Sequence, residues 1–228
     1  MISVVIPTLN AEPRLAATLA ALVPAAVDGL VREVIVADGG SRDRTAAIAD
    51  AAGASVLRVD PGRGSQLAAG AARARFPWLL FLHADTVLEP GWEGEVSAFM
   101  ERVDRGAPPS AAAFRFALDD VGARPRLLEA MVGLRCALLR LPYGDQGLLI
   151  PRRLYEEIGG YRPLALMEDV DLVQRLGRRR LTMLRACAVT SADRFRREGY
   201  ARRSARNLTC LMLYALRVPV HVINRLYQ

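Results

Sequence analysis

Apolar positions along this chain follow two rhythms. Short, unbroken runs closed by polar or turn-forming residues alternate with longer stretches in which apolar residues recur at helical spacing. Ile2 to Ile6 is rich in β-branched residues and stops at Pro7-Thr8-Leu9-Asn10. Glu33 to Ala37 stops at Asp38-Gly39-Gly40-Ser41, and Ser55 to Val59 at Asp60-Pro61-Gly62-Arg63-Gly64-Ser65. Trp78 to Leu82 breaks into His83-Ala84-Asp85. Such runs are the pattern of parallel strands covered on both faces. Between them, Pro13 to Val23, a stretch from Ser41 to about Ala52, and Gln66 to Arg75 read as helices, with Pro13 near a helix start and Gly53 at a C-cap. Strands alternating with helices predict an α/β fold, a mainly parallel central sheet flanked by helices.

The second half is less regular. Gly91 to Val103 reads as a helix, 106–110 as a linker, Ala111 to Leu118 as a strand and Arg124 to Arg140 as a long helix. Tyr143-Gly144-Asp145-Gln146-Gly147 is a loop before a strand at Leu148 to Ile150, and Arg153 to Ile158 is a helix ending at Gly159-Gly160. Met167-Glu168-Asp169 opens a helix through Arg178, Leu181 to Val189 is a strand, and Arg203 to Tyr227 is mainly helical. Thr86 onward, Thr-Val-Leu-Glu-Pro, reads as a turn.

Three strand ends carry polar groups: Thr8 and Asn10, then Asp38, then His83 and Asp85. Open α/β sheets bind ligands at the carboxyl ends of their strands. Thr8 and Asp38 suit a base or ribose, and Asp85 suits a hard divalent cation, which prefers oxygen ligands. Residues two apart on a strand point the same way, so His83 and Asp85 face one ligand or one metal ion. Each feature alone has an ordinary explanation as a cap or turn; together they predict a site. Gly62-Arg63-Gly64 opens a helix as a dinucleotide fingerprint does, but Leu67 stands where its third glycine belongs, so only Arg63 is retained, as a diphosphate contact.

Charge narrows the chemistry. Of 228 residues, 31 are basic against 24 acidic, and every basic one is Arg. Without Lys there is neither a Schiff base nor a Walker-type loop. Arg binds phosphate through paired hydrogen bonds, so a nucleotide diphosphate or an anionic surface suits this excess. Cys136, Cys187 and Cys210 form no CxxC pair, so neither a zinc site nor a disulfide framework is indicated, and a reducing cytoplasm fits best. No leader is visible at the N-terminus, and the late apolar stretch is interrupted by Arg217 and Pro219, which predicts an amphipathic helix over Leu208 to Tyr227, docked on the body or on an anionic membrane surface.

VVIPTLN, VADGGSRDRT, GRGSQLAAGA, LLFLHADT and LMEDVDLVQRL occur in that order, and together they resemble the motifs of family-2 glycosyltransferases over roughly residues 2 to 195. GDQG and the late TSADRF resemble a subgroup of small bacterial members. The resemblance implies the GT-A nucleotide-diphospho-sugar fold as one domain, with a nucleotide-sugar half over 1–105, an acceptor-side half over 106–195 and a helical tail over 196–228. It implies that Pro7, Thr8, Asn10 and Glu12 line the nucleotide pocket, with Asp38 on the base, Arg63 beside the nucleotide and His83-Ala84-Asp85 as the metal-binding motif. Asp85 matches that motif's second acid, while His83 replaces the first and suits Mn²⁺ better than Mg²⁺. Asp169 is the implied catalytic base, with Glu168 beside it. Asp145 and Gln146 either contact the acceptor or shape their loop. Asp193-Arg194-Phe195 departs from the Arg-Arg-Trp of relatives. The expected reaction is inverting transfer from a UDP- or GDP-sugar to a glycan, lipid or small-molecule hydroxyl, assisted by Mn²⁺ or Mg²⁺. Nucleic acid is not among the expected partners. A nucleotidyltransferase is the nearest alternative, but PTLNAEP holds the place of its Gly-rich loop; a non-catalytic nucleotide- or membrane-binding module is the other.

Overall fold

A computed structural model describes residues 1–227. In chain order the elements are β1 (Ile2–Thr8), α1 (Glu12–Ala20), α2 (Val23–Val27), β2 (Val31–Asp38), α3 (Thr45–Ala51), β3 (Ser55–Arg58), α4 (Arg63–Arg73), β4 (Trp78–Phe81), β5 (Thr86–Leu88) and α5 (Trp92–Asp104). Then follow β6 (Ala111–Leu118), α6 (Ala123–Leu139), β7 (Leu148–Pro151), α7 (Arg152–Glu157), α8 (Glu168–Leu176), β8 (Leu181–Thr190), α9 (Asp193–Glu198), α10 (Tyr200–Ala215) and α11 (Val220–Tyr227). The strands form one sheet in the order β3-β2-β1-β4-β7-β6-β8-β5.

The first four strands in this order are parallel, as their apolar runs predict. Beyond β4 the sheet is mixed: β7 is antiparallel to β4 and β6, β6 is parallel to β8, and β5 closes the edge antiparallel to β8. In β1, Val4 and Ile6 face a core layer with Leu15, Trp78, Trp92 and Phe114. Val5 faces the opposite layer with Ile35, Leu67, Phe81 and Leu172. Both faces are covered, which is why β1 shows no alternation of apolar and polar residues.

Among the segments that differ from the sequence reading, three bear on the sheet, the cleft and the tail. Thr86–Leu88 is a strand, not a turn, because its register against β8 is secured by Thr86 and Thr190, whose buried hydroxyls lie 2.7 Å apart. The fourth helix begins at Arg63 rather than Gln66, directly after Gly62 in a left-handed conformation (φ 154°). The terminal helix is two helices: the chain turns at Arg217 (φ 60°), ahead of Pro219, which has no N–H to continue the ladder. Among the described residues no helix is long and apolar enough to cross a membrane.

Helix α4 lies against β1 at a distance only glycine permits. A Cβ on Gly70 would stand 2.3 Å from Val5 Cγ1 in the fully buried layer. Gly70→Ala should therefore destabilise the protein by about 1–3 kcal/mol, the usual cost of overpacking. Thermal melts should show the loss, and Val5→Ala in the same chain should return part of it.

Candidate active site

The carboxyl ends of β1 and β4 open into a cleft of about 520 Å³. Pro7, Thr8, Asn10 and Ala84 are on its wall, with Arg63, His83 and Asp85 at its inner end. A second cavity of about 140 Å³ adjoins it, lined by Tyr143, Gly144, Asp145, Glu168 and Asp169. Arg63, His83, Asp85, Ser191 and Arg194 border both, so they mark the junction.

The cleft wall is held by a compact polar network. Asp38 is buried (2% exposed), and its carboxylate accepts from Thr8 Oγ1 (3.0 Å), the Ser41 hydroxyl and N–H (2.5 and 2.9 Å) and the Gly40 N–H (3.2 Å). Burial works against the charged form, but these donors hold the carboxyl below its usual range. Asn10 Oδ1 accepts the Arg42 N–H, and Glu12 Oε2 accepts the Arg44 N–H. Asp38 and Glu12 thus stand behind the wall and fasten the loop after β2 to the loop after β1. Gln66, which nothing in the sequence singles out, donates from Nε2 to the carbonyls of Thr8 (2.8 Å) and Ala37 (2.7 Å) and ties the two strand ends together.

At the junction Arg63 Nη1 lies 3.3 Å from Oε1 of Glu168, which is 1% exposed. Desolvation opposes the guanidinium's charge, but Glu168 and Asp169 more than offset it and raise its pKa. Gly64, the second glycine of the loop, serves a close approach rather than a phosphate: a Cβ there would meet the Arg162 carbonyl at 2.2 Å. That approach seats the segment before α8 against the start of α4.

Glu168 and Asp169 open α8 after Met167, which adopts φ 65°. The Tyr161 hydroxyl donates to Asp169 Oδ1 at 3.0 Å. Burial, then the neighbouring Glu168 carboxylate, push the Asp169 carboxyl up to about 7. A Cβ placed on Gly144 would lie 2.2 Å from Asp169 Oδ2 and 2.6 Å from His83 Nε2, so these two atoms meet over that glycine. His83 Nε2 is buried without a hydrogen-bond partner, and burial with Arg63 and Arg194 nearby holds the ring well below its usual pKa, in the neutral form. Asp145 Oδ1 is likewise buried and unpaired, and burial pushes that carboxyl up to about 6. Gln146 turns inward instead, with Nε2 donating to the Phe114 carbonyl at 2.9 Å, and shapes the loop.

Among the described residues no three His, Cys, Asp or Glu side chains converge on a metal site. Asp85 borders both cavities, and its side chain makes no hydrogen bond among the described residues. A single carboxylate fits a hard cation whose other ligands are diphosphate oxygens and water. His83 carries a free nitrogen, but that nitrogen is turned toward Gly144 and Asp169.

Several residues that line or support the site lie outside the sequence-based set. Tyr161 follows Gly159-Gly160 without any local signal. Arg194 comes from the Asp193-Arg194-Phe195 departure and lies in the first turn of α9, which Arg14 anchors by pairing with Asp193 and with Asp119. Arg203, Asn207 and Tyr227 reach the inner cavity from the tail. Only the packing of α10 and α11 on Leu166 and Met167 brings them there.

A sheet of this order, with a nucleotide-sized cleft at its parallel strand ends and a carboxylate-lined cavity behind it, is the architecture of the GT-A glycosyltransferases. Residues 3–122 match the family described as Glycosyl transferase family 2. The chain belongs to that family. Glucosyl-3-phosphoglycerate synthases of Mycolicibacterium paratuberculosis and Mycobacterium tuberculosis are each 37% identical to it over 95 residues, 38% of this chain and 29% of theirs. The match thus spans under a third of the length of those curated relatives. A structure of the M. tuberculosis synthase with Mn²⁺, UDP and glucosyl-3-phosphoglycerate superposes with a TM-score of 0.56 at 25% identity, covering 84% of this chain and 70% of that one. The fold is also shared with the same synthase bound to Mn²⁺ and UDP-glucose (TM-score 0.65, 23% identity, 96% and 80% covered). It is shared again with Staphylococcus aureus TarS 1–349 (TM-score 0.67, 14% identity, 99% and 69% covered).

The Asp38 network predicts a measurable stability term. Its folded pKa lies below the unfolded value of about 4, so its contribution is present above that pH and is lost as pH falls through the folded value. Asp38→Asn should cost about 1–3 kcal/mol near neutrality, because an amide cannot accept all four bonds. Denaturant titrations of parent and variant should converge as the pH drops below about 4.

Proposed function

We propose that this chain transfers a hexose from a UDP-sugar to a hydroxyl of a small anionic acceptor, with inversion at the anomeric carbon and Asp169 as the base. The observation that carries the reading is the position and environment of Asp169. It lies on the inner cavity, one residue from the ion pair at the junction, and its carboxyl is poised near neutrality. Relatives named for glucosyl transfer to 3-phosphoglycerate, one of them solved with Mn²⁺ and UDP, support the donor and make phosphoglycerate the first acceptor to try.

The donor's nucleotide occupies the cleft along Pro7, Thr8 and Asn10, and its diphosphate reaches the junction. Arg63 and Arg194 neutralise the diphosphate there, and Asp85 is the residue that would hold a divalent cation. Such a cation, when bound, supplies further neutralisation of the leaving group. The acceptor enters the inner cavity. Its oxygen bonds to the anomeric carbon as the bond from that carbon to the diphosphate oxygen breaks, and the electron pair leaves on the diphosphate. The acceptor's proton passes to Asp169 Oδ2, since Oδ1 is occupied by the Tyr161 hydroxyl. His83, neutral and beside Oδ2, adds no competing charge. Apposed cavities with the base on the far side from the diphosphate give attack from the opposite face, hence inversion.

Asp169→Asn should retain UDP binding by calorimetry yet lose turnover by roughly 100-fold or more, the scale of a general base. The parent's kcat/KM should rise with pH through about 7, because the carboxyl must be deprotonated to accept the proton, and that limb should be missing from the variant. Near-parental turnover in Asp169→Asn would move the base to another group.

Asp85→Ala should abolish the extra thermal stabilisation that Mn²⁺ adds to UDP, while UDP alone still shifts the melt. An unchanged Mn²⁺ increment would remove Asp85 from metal binding.

A further inference from the structure

Two neighbouring helices present apolar faces that none of the described residues covers. Val121, just before α6, and Leu127, Met131, Leu134 and Leu138 on it are between 53% and 86% exposed. They follow one another along the outer side, while Leu128 and Val132 pack inward against the cluster around Phe116 and Phe195. Helix α10 adjoins α6 where Tyr200 joins that same cluster. Its outer side carries Leu208, Met212 and Leu216, between 55% and 74% exposed, while Cys210 is buried beneath. Single exposed apolar side chains are ordinary; continuous stripes on adjacent helices mark an interaction surface.

The charges around these stripes identify the occupant. Residues 199–228 contain five Arg and no acid. Glu129, the one carboxylate of α6, is engaged by Arg126 and by the Leu118 N–H. Arg124, Arg202, Arg217 and Arg225 are exposed and have no carboxylate partner among the described residues. A second copy laid on this face sets Arg against Arg in either direction. Lipid phosphates set Arg against anions, with the leucines below the headgroups, as interfacial amphipathic helices do. No described helix is long enough to cross, so contact would be in the plane of the surface.

We propose that the outer faces of α6 and α10, with the arginines of α11 and its preceding turn, form a docking surface for an anionic membrane. The inner side of α10 carries Arg203 and Asn207 to the catalytic cavity, so the docked face lies one helix away from the acceptor.

Vesicle flotation of the full chain tests this independently of any activity. The parent should float with phosphatidylcholine vesicles containing roughly 30% phosphatidylglycerol, at least about 10-fold more than with phosphatidylcholine alone, and should be released by high salt. Leu127→Gln/Leu134→Gln/Leu208→Gln and, separately, Arg124→Gln/Arg202→Gln/Arg217→Gln should each lose most of this binding, with circular dichroism melts confirming that both remain folded. The proposal is overturned if the parent fails to float with anionic vesicles, or if folded variants float as it does. It is also overturned if light scattering shows a dimer that the leucine variant converts to monomer.

Discussion

The Arg63–Glu168 ion pair is the contact on which the site's geometry depends. Glu168 is almost fully buried, and a buried carboxylate without a counter-charge is costly enough that the chain must supply one. Arg63 supplies it from the start of α4, on the other side of the junction between the cavities. The pair therefore fixes the spacing between the cleft at the strand ends and α8, the helix that carries Asp169. Gly64 makes the approach possible, since the backbone of Arg162 occupies the space of its missing side chain.

The same pair sets the chemistry of its neighbour. Glu168 lies next to Asp169 in sequence and adds negative charge to a carboxyl already stripped of water, which raises its proton affinity, while Arg63 limits the rise. Tyr161 then orients the carboxyl by taking one oxygen and leaving the other over Gly144. A side chain at 144 would fill the space in which Asp169 and His83 meet, so the glycine of the Gly144-Asp145-Gln146-Gly147 loop is a requirement of the site rather than of the loop alone.

The C-terminal helices serve two surfaces at once. Inward, Cys210, Ile223 and Tyr227 pack around Leu166 and Met167, directly before Glu168 and Asp169. Arg203 is held there by Glu198 at 2.7 Å and by the Tyr227 hydroxyl at 3.2 Å. Outward, the same helices present leucines and arginines without a carboxylate partner among the described residues. A segment that follows the family's matched residues thus closes one side of the inner cavity.

Much of the fold and part of the site were written locally. Buried parallel strands announce themselves as unbroken apolar runs, and the polar residues that end β1 and β4 stand on the cleft, because strand ends and ligands coincide in such sheets. Glu168 and Asp169 were legible as an acidic pair opening a helix. Contacts between distant segments were not. Thr86–Leu88 became a strand only because β8 came alongside it, and Asp38 was turned from the cleft into a network by Ser41, Gly40 and Thr8. Gln66 and Asn207 carry no local signal, since their places are set by neighbours far along the chain. The sequence by itself determined the alternating α/β order and the residue types at the strand ends, since hydrophobic periodicity and turn chemistry act over a few residues. Only the tertiary structure decided which carboxylate is buried, which is paired and which has its proton affinity raised, because desolvation and charge proximity depend on distances that no local pattern encodes.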